Sequence, residues 1–126
     1  MGELTQPTWF RSGKNVSGST IVKRRFVSPG AAAGEVLLPA AVTTIGAGVT
    51  TEDIQDQLTG SVQYEGIALV ECSAAIAVNA LIQSGTDGRA ATGVTASMIR
   101  GIAKNATAGA GEFVEVELWK GRALVP

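Results

Sequence analysis

The chain has 126 residues, of which 45% are hydrophobic but only 5% aromatic, with 10 basic and 11 acidic residues giving a formal net charge of −1. That length fits one domain with a modest core built from Ala, Val, Ile and Leu. The balanced charge excludes a whole-molecule field for nucleic acid or an anionic membrane, and 16 glycines in no triplet period exclude collagen.

In chain order, residues 1–18 (MGELTQPTWFRSGKNVSG) lack apolar alternation and carry Trp9, Phe10, Arg11 and Lys14 among Ser, Gly and Asn. They are predicted as an extended arm, reaching on the order of 60 Å if fully drawn out, ahead of a single compact domain over residues 19–126; a loose terminus, or one folded back on its own domain, is the alternative. Adjacent large aromatics give such an arm something to bury against a neighbour, about 2 kcal/mol or more each. Ser19 to Val27 (STIVKRRFV) alternates and predicts an edge strand. Its basic run, Lys23, Arg24 and Arg25, either guards the edge against unwanted pairing or receives an anionic partner. Ser28-Pro29-Gly30 supplies the turn that ends it.

Glu35 to Leu38 predicts a short strand stopped by Pro39, and Ala41 to Ile45 a second. Over Thr50 to Leu58, Thr50 or Thr51 suits the cap of a short helix whose N-terminal end would favour Glu52 and Asp53. An acidic loop is the alternative. The stretch Val62 to Arg89 predicts two alternating strands, Val62–Cys72 and Ile76–Gln83, forming a β-hairpin or an adjacent antiparallel pair. Ser84 to Gly88 then makes a tight reversal. Ala90 to Thr95 is turn-like, Ala96 to Lys104 a strand, and Asn105 to Gly111 a loop. Glu112 to Trp119 is the cleanest strand: Val114, Val116 and Leu118 form one stripe, and Phe113, Glu115, Glu117 and Trp119 the other. Residues 120–126 add a last short pairing or a tail. Short strands with Gly turns predict an all-β fold, a small barrel or sandwich with at most one short helix.

The chemistry of catalysis is thin. With no histidine, the usual general base and the commonest nitrogen metal ligand are missing, and no P-loop, nucleophile elbow or dinucleotide fingerprint is present. A single cysteine, Cys72, excludes an internal disulfide and reads as a small buried hydrophobe. Neither a leader pattern nor an apolar run of about 20 residues occurs, so a soluble, unexported protein is expected. No cofactor, metal, membrane or nucleic-acid partner is expected.

Several of these segments taken in order carry a resemblance. Ile21 to Val27, Gly66-Ile67-Ala68, Asp87-Gly88-Arg89-Ala90, Gly101-Ile102-Ala103 and Ala110-Gly111-Glu112-Phe113-Val114-Glu115-Val116 together resemble the capsid decoration (cement, or head-stabilising) proteins of tailed bacteriophages. The likeness spans residues 19–119. It implies a β domain, made in the host cytoplasm, that binds the outer surface of an assembled head, bridges major capsid subunits and strengthens the shell without catalysis. It also implies self-association, a homotrimer or else a dimer. The shell-binding candidates come from this chain's own chemistry: Trp9, Phe10, Arg11, Lys14, Lys23, Arg24 and Arg25. The competing classes are another virion β protein, a head-fibre base or tail-associated component, and a small barrel binding a ligand or nucleic acid, which would need a concave pocket or basic groove.

Overall fold

A computed structural model describes residues 10–41, 44, 46–94 and 97–124, with side chains to residue 119. The described residues form an all-β fold of ten strands and no helix: β1 Phe10–Asn15, β2 Phe26–Pro29, β3 Glu35–Leu37, β4 Gly48–Thr50, β5 Thr59–Gln63, β6 Ile67–Glu71, β7 Leu81–Ser84, β8 Ala90–Thr92, β9 Met98–Ala103 and β10 Phe113–Leu124. Strands β1-β3-β2-β4-β5 close into a barrel, and β6-β10-β9-β7-β8 make a second, five-stranded sheet.

Of the expectations for residues 1–18, the described part, from Phe10 on, follows the folded-back one and not the arm. Phe10–Asn15 is a barrel strand: β1 runs antiparallel to β5 from Phe10↔Gln63 to Lys14↔Thr59 and parallel to β3 at Lys14↔Glu35 and Asn15↔Val36. The inward positions of β1 are Gly13 and Asn15, both buried, so the strand shows no hydrophobic alternation. Gly13 also keeps the interior uncrowded, since a Cβ there would stand 3.0 Å from methyl groups of both Val36 and Val62. Asn15 replaces apolar packing with a complete set of hydrogen bonds. Its Nδ2 donates to the carbonyls of Ser19 (2.8 Å) and Ile54 (2.7 Å), and its Oδ1 accepts from the Ser17 N–H (2.8 Å) and hydroxyl (2.7 Å). Residues 1–9 lie outside the described set.

Four other expectations change. The hairpin over residues 62–89 does not form: Val62 and Gln63 belong to β5 in the barrel, while β10 and β9 lie between β6 and β7. Alternation marks the buried face of β6, with Ala68 and Val70 in and Ile67 and Leu69 out, but not that of β7, where Ile82, Gln83 and Ser84 are all buried. The long β10, which pairs with both β6 and β9, displaces the local pairing. The strand expected over 19–27 starts only at Phe26. Arg24 has φ 65°, a left-handed conformation that breaks an extended run, and Ile21 instead makes an isolated antiparallel bridge to Ile54.

Thr50 ends β4, and from Thr51 to Leu58 the segment is an acidic loop, not a helix. Its carboxylates cap backbone donors of distant segments: Asp56 accepts from the Gly18 N–H (2.9 Å), Asp53 from Lys23 (2.8 Å) and Glu52 from Ser61 (2.8 Å). Such pairing draws Glu52, Asp53 and Asp56 outward to partners a local helix would not reach. The strand expected at 41–45 falls largely on residues outside the described set, and the turn expected over 90–95 begins as β8, paired with β7 at Ser84↔Ala90.

Two apolar clusters hold the fold. Ile21, Val27, Val36, Ile54 and Val62 fill the barrel. Phe26 and Val49, a cross-strand pair of β2 and β4, instead join Val70, Ile82, Val114 and Val116 in the core of the second sheet. Consecutive β2 residues therefore serve both cores, Phe26 outward and Val27 inward, which follows from the two-residue period of a strand. The stripe expected on β10 holds over its first part: Val114 and Val116 are fully buried, while Phe113, Glu115 and Glu117 are exposed.

Candidate functional site

The seam between barrel and sheet is polar and centred on the basic run. The Glu71 N–H donates to the Arg24 carbonyl (3.0 Å) and the Phe26 N–H to that of Gly88 (2.7 Å). Arg25 reaches across to Glu71 (3.1 Å) and to the Asp87 carbonyl (3.0 Å). Gly88, at φ +82°, lets the β7–β8 turn approach, since a Cβ would stand 2.7 Å from the Phe26 oxygen. In that turn Asp87 accepts from the Arg89 N–H (3.0 Å) and Nε (2.7 Å). Burial alone would raise the Asp87 carboxyl, but the Arg89 hydrogen bonds and charge outweigh it and hold it below its ordinary range. Ser84 to Gly88 is thus a reversal, as expected.

A second tie is Arg100 on β9, 7% exposed. Its guanidinium donates to the Val27 carbonyl (3.2 Å), the Ser28 hydroxyl (3.4 Å) and the Thr44 carbonyl (3.2 Å), and lies 5.4 Å from the Phe26 ring centroid. Gly46 leaves room for it: a Cβ there would stand 2.7 Å from Nη1. Among the described residues its acceptors are all neutral, Nε has no hydrogen-bond partner, and burial pulls its pKa down to about 10.

Arg100 forms part of the wall of a cleft of about 490 Å³ between barrel and sheet, with Arg11, Tyr64, Glu65 and Trp119. The Arg11 guanidinium sits 4.1 Å from the Tyr64 ring centroid, a cation–π contact. Elsewhere, the outer face of the second sheet carries exposed Ile67, Leu69 and Phe113 alternating across strands with Glu117, Glu115 and Glu71.

The sequence candidates are therefore scattered. Phe10 and Lys14 are exposed on β1, Arg11 enters the cleft, and Lys23 is exposed beside the barrel. Arg24 and Arg25, half-buried, belong to the seam, and Trp9 lies outside the described residues. Sequence reading missed Tyr64, Arg100 and Trp119. The signal for Arg100 was a lone cation inside the strand pattern Met98-Ile99-Arg100-Gly101-Ile102. Cys72 is fully buried, and burial first, then nearby Glu112 and Glu71, push its thiol pKa up, against hydrogen bonds that lower it. Among the described residues no group of three or more His, Cys, Asp or Glu is placed to hold a metal, and no helix is long and apolar enough to cross a membrane.

Fold and surface together define an all-β module, a closed barrel fused to an open-faced sheet. No family model matches the chain, and no curated protein does. Among solved structures it is similar to the head fiber gp8.5 N base of bacteriophage phi29: TM-score 0.70, 19% identity, covering 90% of this chain and 98% of that one. At that identity the likeness shows a shared fold.

Proposed function

We propose that the chain is a structural component of a phage head, and specifically the base of a head fibre. The observation that carries this reading is the fold match, which spans nearly the whole of both chains. A catalytic role is disfavoured by the lack of histidine. A second reading, a capsid decoration protein, is favoured by the ordered segments from Ile21 to Val116 that resemble that family. Both put the chain on the outside of a head; they differ in whether it carries a projecting appendage.

On either reading the partners are the major capsid protein and further copies of the chain, with a homotrimer the leading arrangement and a dimer the next. Phe10, Lys14 and Lys23 are exposed and available to a shell; Arg24 and Arg25 are the weaker candidates, because the seam already uses their segment. Attachment at many symmetry-related places makes a modest patch effective through multiplicity.

Heads lacking the protein, mixed with purified chain and sedimented, should carry it down, and cryo-electron microscopy of those particles should show isolated projections. A regular lattice of density over the shell would favour the decoration reading. Failure to co-sediment at low and physiological salt would reject both.

A further inference from the structure

We propose that the cleft between barrel and sheet is a binding site for a planar carboxylate with an apolar body. The walls supply the two things such a ligand needs. Arg100 and Arg11 are cations, and Tyr64 and Trp119 are aromatic surfaces. Glu65 lines the same cleft and already has an interaction of its own. Among the described residues of the lining, two cations and one anion leave an excess positive charge, in a chain whose net charge is −1.

The Arg100 environment is the specific pointer. A buried guanidinium is ordinarily matched by a carboxylate, because neutral acceptors only partly replace the water it loses. Here every acceptor among the described residues is neutral and Nε is left over. If Arg100 served only to tie the sheets, the cleft beside it would have no need of a second guanidinium stacked on an aromatic ring. A planar carboxylate suits a cleft with Tyr64 and Trp119 among its lining residues, and two oxygens match a guanidinium fork. The ligand can be a free aromatic acid or an acidic side chain of a partner protein segment; the chemistry is shared.

The test uses the full chain carrying Trp9→Phe, so that Trp119 is the sole tryptophan reporter, titrated with benzoate, with the neutral benzyl alcohol, and with a capped Glu-Phe dipeptide. Benzoate should give a saturable fluorescence change at a concentration at least about tenfold lower than benzyl alcohol. Arg11→Gln, at an exposed position, should weaken benzoate severalfold, and Arg100→Met should abolish the preference over benzyl alcohol. Tighter binding of the dipeptide than of benzoate assigns the site to a protein segment; the reverse assigns it to a free acid. Equal affinity for benzoate and benzyl alcohol, or no saturable response to any probe, overturns the proposal. That comparison is made on unaltered Arg100 and stands even if Arg100→Met does not fold.

Discussion

Asn15 replaces a hydrophobic side chain inside the barrel with four hydrogen bonds. Its removal takes away all four, although the Ile54 carbonyl keeps the Ile21 N–H (2.9 Å) and the Ser19 carbonyl keeps the Ser17 hydroxyl (2.8 Å), and each hydrogen bond lost costs about 0.5–1.5 kcal/mol. Asn15→Ala should therefore destabilise by about 3 kcal/mol, read as a fall in the urea midpoint at unchanged slope. Asp87 acts on a smaller scale and depends on pH. Its carboxyl is held low in the folded chain, so its contribution is present above the ordinary carboxylate value of about 3.9 and is lost as pH falls through the depressed folded value. Because its side chain is 45% exposed, solvent screening limits the effect to under about 1 kcal/mol. Asp87→Asn should be slightly less stable than the parent at pH 7 and match it in strong acid. A gap that persists or widens in acid would show that the Arg89 contact works by packing.

At the scale of elements, β1 is the strand on which barrel closure rests. Taking away residues 1–15 removes the pairings with both β5 and β3, opens the barrel and exposes two edges, which invites aggregation. Taking away residues 1–9 leaves every described pairing intact. The shorter truncation should melt like the full chain by circular dichroism, and the longer one should show no cooperative transition. The same strand marks what was legible in the sequence. Elements with an apolar stripe, such as β10 with Val114, Val116 and Leu118, could be read because burial and side-chain period coincide. Where a strand buries Gly13 and Asn15, the pattern is blank. Pairing was less legible than strand position: β6 and β7 are sequence neighbours, yet the partner that separates them, β10, begins at Phe113. The cleft was least legible, because Tyr64, Arg100 and Trp119 meet only after both sheets have formed.

For the whole molecule, the question is whether barrel and sheet unfold together. A barrel with its own interior cluster could melt alone if only a thin polar seam joined it to the sheet. Three features oppose that. Phe26 and Val49 belong to barrel strands but lie fully buried in the core of the other sheet, so releasing the barrel would open a hole the size of a phenyl ring. Arg100 and Arg25 cross the seam from opposite sides, the first from β9 to β2 and the second from the turn before β2 to β6. Separating the parts would hydrate one of these guanidiniums but strip its partners, including a buried carbonyl. The molecule should thus melt in one transition, with an enthalpy of about 90 kcal/mol near 60 °C for a chain of this length and a calorimetric to van't Hoff ratio near one. Phe26→Ala should lower stability by about 3–5 kcal/mol and, by hollowing the shared core, split the transition into two. Two peaks in the parent protein would mean that barrel and sheet are separate cooperative units. A single peak fits a part seated on a shell, because a load applied to one sheet is then carried by both.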